Sequence, residues 1–324
     1  MIVRWGIEEL EGMLEKLDAR VPVLVTSSRW AGLDLPVARR FEGVRPHVPV
    51  ATVAAALTAA EGADSVVGLG GGSAIDTAKA VSARLGLPLV SIPTTYAGAE
   101  WTPYFGMRDE ERGVKSGGAG ARLAGIVYEP KLTLDLPREE TVGTAMNALA
   151  HCAEALYVEG RNEEADRHAL AGASLIDRHL PEVLESLRDL PPRTGLLEGA
   201  AEAGAALAGA GLALGHAMAQ ALGGRYGLPH GALNAICLPA ALRFNEGVAA
   251  QTIARFGAAM GTEHPIERVE ELAGLGGFRR LRELGVPSDE LDEVGEATAE
   301  RSGAKANPRR AAPAEIAALL RSVW

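Results

Sequence analysis

Residues 65–86 read SVVGLGGGSAIDTAKAVSARLG, and this stretch decides the fold. It opens as a short apolar run and passes through Gly70, Gly71 and Gly72. It then continues with apolar residues at helical spacing. That succession reads as a strand with its glycine turn (65–72) followed by a helix (73–86). Glycine lets the backbone approach an anion closely. A helix N-terminus adds unbonded N–H groups and the positive end of its dipole, so a pyrophosphate would sit there. Ser73 and Asp76 have the S-x-x-D spacing of a capping box and are expected to fix the start of the helix. The fingerprint is incomplete. Gly68-x-Gly70-x-x-Ser73 lacks the third glycine of G-x-G-x-x-G, and no P-loop lysine follows.

The neighbouring segments repeat the same alternation. VPVLVTS (21–27) reads as a strand, ATVAAALTAAEGA (51–63) as a helix and PLVSIPTT (88–95) as a strand. Strands alternating with helices predict a parallel α/β domain. Thr94 and Thr95 close the last of these strands. They are expected beside the glycine turn, because ligands gather at the carboxyl ends of parallel strands.

From about Thr141 the strand signal fades. TAMNALAHCAEALYVEG (144–160), EEADRHALAGASLIDRHLPEVLESL (163–187) and GLLEGAAEAGAALAGAGLALGHAMAQAL (195–222) all read as helices with apolar faces. The glycine and alanine repetition near 199–211 fits a tightly packed buried helix. With Pro137 at the hinge, the chain divides into an α/β dinucleotide-binding domain (1–138) and an all-α domain (139–324). Two domains also suit 324 residues, since single cores stop growing near ~250–300.

Composition narrows the classes. The chain is 47% hydrophobic and 23% charged, which is globular, and its formal net charge of −10 argues against a nucleic-acid partner. No run approaches the ~18 apolar residues of a membrane span. Cys152 and Cys237 stand in apolar surroundings and read as buried free thiols. Together with a charged N-terminus lacking an apolar signal core, they point to a cytoplasmic protein. The expected partner is a small-molecule substrate.

The helical half carries a polar set. Asn147 and His151 stand four apart on one helix. Gln220 lies near the end of another with His216 four before it, and His230 follows in YGLPHGALN. Asn and Gln offer neutral oxygens that hold transition metals weakly, so the set is a poor metal cage.

These motifs, taken in order, resemble the iron-containing (group III) alcohol dehydrogenase family over nearly the whole chain. GGGSAIDTAKA (70–80), IPTTYAGAEWTP (92–103), AMNALAHCAEALY (145–157), GLPHGALNAICLP (227–239), ELGVPSDEL (283–291) and NPRRAAPAEIAALL (307–320) carry the resemblance. Within the family, the second and third look most like the maleylacetate reductases. The resemblance implies a dehydroquinate synthase-like fold, an active site in the cleft between the domains, and a homodimer. It also implies NADH or NADPH held by Gly70, Gly71, Gly72, Ser73, Asp76, Thr94 and Thr95. In metal-dependent relatives an Asp and three His bind iron or zinc, at positions matching Asn147, His151, Gln220 and His230. Maleylacetate reductases also carry Asn at the first position but usually keep His at the third. Two of four ligands are therefore read as lost here, and no metal is expected.

NAD-preferring relatives carry an Asp after the first strand, where this chain has VTSSRW (25–30). Without a carboxylate at Ser27 or Ser28, NADPH is expected to be accepted. The expected chemistry is hydride transfer to an enone or carbonyl, with negative charge developing on an oxygen. His151 and His230 are the expected acids, Asn147 and Gln220 neutral donors, and His216 a supporting residue. Lys115 and Arg225 would grip substrate carboxylates, and Tyr96 would line the substrate side. Competing readings are a metal-dependent alcohol or polyol dehydrogenase, a lyase of the dehydroquinate synthase type, and a cofactor-binding protein that has lost catalysis.

Overall fold

The structure of the chain, a computed structural model, describes residues 1–109 and 114–324. The side chains of Asp109, Val114 and Lys115 lie outside the described residues. Two compact units separate. The first comprises Met1–Thr95 and Ala99–Thr133, the second Tyr96–Gly98 and Leu134–Trp324. The division falls at 133/134, and three residues from the middle of the N-terminal half group with the helical unit.

The first unit runs β1 (Ile2–Trp5), α1 (Glu9–Lys16), β2 (Pro22–Val25), β3 (Arg39–Phe41), α2 (Val50–Ala59), β4 (Ser65–Gly70), α3 (Gly72–Leu85), β5 (Pro88–Pro93), β6 (Phe105–Asp109), β7 (Val114–Gly118) and β8 (Arg122–Tyr128). Six strands form one parallel sheet in the order β1-β8-β5-β4-β2-β3, and β6 and β7 form a separate antiparallel pair. Side-chain alternation explains why helices cover both faces. Leu24, Val67, Leu69, Val90 and Ile92 meet Leu10, Met13 and Leu14 of α1 on one face. Val23, Val25, Val66 and Leu89 meet Ala56 of α2 and Ala78 and Val81 of α3 on the other. The chain leaves β2 toward β3 on one side and β4 toward β5 on the other. The strand order therefore reverses between β2 and β4, the position where such sheets open a ligand crevice.

The second unit contains α4 (Arg138–Ala155), α5 (Glu163–Glu185), α6 (Leu190–Ala210), α7 (Leu214–Tyr226), α8 (His230–Ala259), α9 (Pro265–Gly274), α10 (Leu291–Ala299), α11 (Ser302–Lys305) and α12 (Pro313–Ser322). Helix α8 is interrupted at Ala249, whose φ of −132° and ψ of 23° are not helical. The glycine-alanine stretch is a tightly packed helix as expected: a Cβ on Gly199 would stand 3.0 Å from Leu175 and Ile176 of α5. It is not one continuous helix through 222. Gly211, at φ +99°, ends α6, and α7 departs at 99° to it. Among the described residues no single helix is long and apolar enough to cross a membrane. Cys152 and Cys237 are buried and unbridged, and burial raises both thiol pKa values.

Candidate active site

The glycine turn at the end of β4 has three different jobs for its three glycines. Gly70 adopts φ +141°, and a Cβ there would meet the Cβ of Ala74 at 2.8 Å. Gly71 is the N-cap of α3, and a Cβ there would meet Thr95 Cγ2 at 3.0 Å. A Cβ on Gly72 would meet nothing within 4 Å, so the first residue of α3 faces open space. Thr94 N–H donates to Gly70 O at 3.1 Å and ties the ends of β4 and β5 together. Ser27 is half-buried and Ser28 exposed just past β2, the sheet neighbour of β4.

The capping box is not formed. No side chain caps α3. Ser73 Oγ instead accepts from His47 N–H at 3.2 Å. Asp76 accepts from Lys79 Nζ at 3.2 Å and from Gly106 N–H at 3.0 Å. The reason is where the helix starts: with Gly71 as N-cap, Ser73 and Asp76 both lie inside α3, and the Asp76 carboxylate is left to hold the backbone of β6. Lys79 is 1% exposed and also donates to Tyr104 O.

In the helical unit, α4, α7 and α8 bring together one polar cluster. Helix α4 contributes Asn147, His151 and Glu154, α7 contributes His216, and α8 contributes His230 and Asn234. The rings of His151 and His216 stack with centroids 4.7 Å apart and planes 14° from parallel, and His230 lies 5.8 Å from His216. Glu154 is fully buried and accepts three hydrogen bonds, from Ala213 N–H (2.7 Å), His216 N–H (3.0 Å) and His216 Nδ1 (2.8 Å). These acceptor oxygens sit at the N-terminus of α7, where the first backbone N–H groups have no partner within the helix. A Cβ on Gly215 would stand 2.8 Å from Glu154 Oε1, so glycine is needed for that approach.

Asn147 Nδ2 donates to Ala97 O at 2.8 Å, and its Oδ1 accepts from Asn234 Nδ2 and lies 3.3 Å from His216 Nε2. Asn234 Nδ2 is also 3.1 Å from His230 Nε2. His151 is 4% exposed, and its Nδ1 has no hydrogen-bond partner among the described residues. Burial, followed by the neighbouring His216 and His230, holds His151 well below the usual imidazole pKa. The segment Tyr96–Gly98 is fastened to this unit: Tyr96 N–H donates to Thr144 Oγ1, and Gly98 lies against His151 and Gly204.

The expected site residues are therefore redistributed. His216 stands inside the imidazole cluster, and the contacts that tie it run through His216 rather than Gln220. Gln220 lies one turn further along α7 and is half-buried. Three imidazoles remain together, so the degraded ligand set is less degraded than its spacing implied. Arg225 is engaged within the helical unit. Its guanidinium is bound to Glu290 and Glu293, which raises its pKa further. Tyr96 is fully buried, with Arg193 Nη1 donating to its hydroxyl at 3.1 Å. Lys115 pairs through its backbone with Arg108, and its side chain lies outside the described residues. Sequence reasoning missed Asn234 and the role of Glu154. Their signals were there, four residues after His230 and three after His151.

Known proteins supply the comparison for this arrangement. Residues 7–124 match the family model described as iron-containing alcohol dehydrogenase, and residues 141–324 match the C-terminal model of the Fe-containing alcohol dehydrogenase family. The chain belongs to the iron-containing alcohol dehydrogenase family. It is 36% identical over 309 residues to a maleylacetate reductase of Burkholderia cepacia, covering 90% of this chain and 86% of that protein. The maleylacetate reductase structure from Rhizobium sp. strain MTP-10005 superimposes with a TM-score of 0.91 at 30% identity, covering all of this chain and 95% of the other. The iron-containing alcohol dehydrogenase of Corynebacterium glutamicum gives 0.92 at 29%, covering all of this chain and 94% of the other. The protein is thus an oxidoreductase with a parallel α/β unit and a helical unit.

An iron-containing alcohol dehydrogenase is expected to hold a metal ion, and the residues present do not fit one. Ligand lone pairs lie in the imidazole plane, and the near-parallel planes of His151 and His216 do not converge. The Asn147 oxygen is claimed by Asn234, and no carboxylate replaces it, since Glu154 spends both oxygens on α7. Among the described residues no group of three His, Cys, Asp or Glu could hold a metal ion.

Proposed function

We propose that this protein is an NAD(P)H-dependent reductase of a small carboxylated enone or carbonyl compound, of the maleylacetate type, working without a metal ion. The observation that carries the reading is the cluster of three imidazoles and two amides wired to a buried Glu154, in a place where the family's metal ligands would be expected. Curated relatives 33–38% identical to the chain are maleylacetate reductases, which supports the substrate class.

The glycine turn and Thr94–Thr95 supply the groups that would hold the cofactor's phosphates, and a reduced nicotinamide bound there would supply the hydride. The substrate's electrophilic carbon would take that hydride, and the displaced π electrons would move to its carbonyl oxygen. N–H donors in a desolvated site then stabilise that oxygen in place of a Lewis acid. A proton from an imidazole or from water completes the reduction. His151, kept neutral by its surroundings, acts as a hydrogen-bond donor rather than as a cation.

The test is an assay of purified protein with maleylacetate and either reduced nicotinamide nucleotide, before and after dialysis against a chelator, with metal analysis of the same sample. The reading expects turnover that survives chelation and iron and zinc well below one per chain. Turnover that appears only on adding iron or zinc, or no turnover at all, overturns it.

A further inference from the structure

The tautomer of His230 can be traced from a backbone carbonyl. Ala97 O can only accept, so the Asn147 amide must face it with Nδ2, at 2.8 Å. That choice turns Asn147 Oδ1 toward Asn234, which must answer with its own Nδ2. The same Nδ2 reaches His230 Nε2 at 3.1 Å. An amide nitrogen has two hydrogens, enough for one to each partner. His230 Nε2 therefore meets a donor and has to present its lone pair, which leaves the ring hydrogen on Nδ1. Asn234 is 1% exposed, so bulk solvent does not compete for its amide. Its position follows from the sequence: residues four apart on α8 lie one above the other, and Asn234 stands one turn after His230.

We infer that Asn234 is a positioning residue that fixes His230 in the Nδ1–H form, so that His230 offers the substrate oxygen a neutral N–H from Nδ1. The inference rests on the reductase reading for what that hydrogen does, but not for where it is. A hydrogen on Nε2 would point at the Asn234 amide hydrogens, so the ring is kept as a neutral donor that stabilises the developing oxyanion. The proton that finally joins the product then has to come from another group or from water.

Two measurements test this on the intact protein. Long-range 1H–15N correlation spectra of histidine-labelled enzyme, with His230 assigned by comparison with His230→Gln, report the tautomer directly. The Nδ1–H form is expected, and an Nε2–H form in the wild type overturns the inference. Asn234→Asp places a carboxylate where the donor was, which draws the hydrogen to Nε2. Turnover should fall on the order of 10²- to 10⁴-fold, as when a catalytic histidine is held in the wrong tautomer, while KM for the nucleotide moves less than about threefold. Turnover within about threefold of wild type in that variant also overturns it. If the wild type shows the Nδ1–H form but reduces no enone or carbonyl, the reductase reading fails and the tautomer assignment stands.

Discussion

Gly231 presses its backbone against Gly143. A Cβ on Gly231 would stand 2.4 Å from the carbonyl carbon and oxygen of Gly143, so α8 begins in direct backbone contact with α4. This contact holds His230 and Asn234 at the height of Asn147. Gly231→Ala has no flexible side chain to displace and must move one helix from the other. Overpacking of this kind costs about 1–3 kcal/mol or more. Urea unfolding should show a lowered midpoint, and turnover should fall further than stability alone explains. An unchanged midpoint would remove the helix contact from the account.

His151 predicts a pH dependence. Its folded pKa lies below the unfolded value of about 6.5, because of burial and then the neighbouring imidazoles. In the window below about 6.5 the unfolded chain binds a proton that the folded protein refuses. Stability is therefore full above that pH and declines as pH falls, by at most about 1.4 kcal/mol per unit from this group. Comparing urea midpoints near about pH 7.5 and about pH 5.5 for wild type and His151→Gln isolates the contribution, and the variant should show the flatter response. Equal slopes would mean His151 is not the group responsible.

Much of the fold was readable from local pattern, and the limits have physical causes. The run 65–86 fixes β4, the turn and α3 because hydrophobic period and glycine placement are local properties. Strands β1, β3, β6, β7 and β8 were not read, since their burial depends on neighbours that single-segment periodicity does not see. The break between α6 and α7 was also missed. It depends on Gly211 and on the carboxylate of Glu154, some sixty residues distant in the chain. In the site, residue types were legible and partnerships were not. His216 and Gln220 are equivalent by spacing, and only the three-dimensional position of Glu154 makes His216 the member of the cluster.

The three glycines of the turn separate structural need from ligand contact. Gly70→Ala meets a left-handed backbone and Ala74, and Gly71→Ala meets Thr95, so both should lose about 1–3 kcal/mol of stability. Gly72→Ala meets nothing and should change stability by less than about 0.5 kcal/mol. If the open space beside Gly72 is where a pyrophosphate lies, that variant should still weaken NAD(P)H binding about tenfold or more by fluorescence titration. Unchanged binding in stable Gly72→Ala would place the phosphates elsewhere.

Coenzyme choice follows from the end of β2. Neither Ser27 nor Ser28 offers a carboxylate to bind ribose hydroxyls or repel a 2′-phosphate, and β2 borders β4 at the reversal of strand order. Wild type should use NADPH and NADH with kcat/KM values within about tenfold of each other. Ser27→Asp should shift the ratio toward NADH by about tenfold or more, mostly through KM for NADPH. A wild type that ignores NADPH would contradict this reading of the strand end.

Glu154 offers the sharpest separation of structure from chemistry. Its two oxygens face only donors: the Ala213 and His216 N–H groups and His216 Nδ1. In Glu154→Gln one oxygen becomes an NH2 group, so at least one backbone N–H meets a donor, at a cost of about 1–3 kcal/mol. Placed at the second oxygen, that NH2 reverses the hydrogen on the His216 ring, from Nδ1 to Nε2. Glu154→Ala leaves all three donors unanswered in a dry site and should be the less stable of the two. Turnover in folded Glu154→Gln should fall at least about tenfold while KM for the nucleotide is nearly unchanged. If the kcat loss in Glu154→Gln can be reversed by a stabilising osmolyte, Glu154 is only a cap for α7; if it persists in fully folded protein, the carboxylate acts through His216.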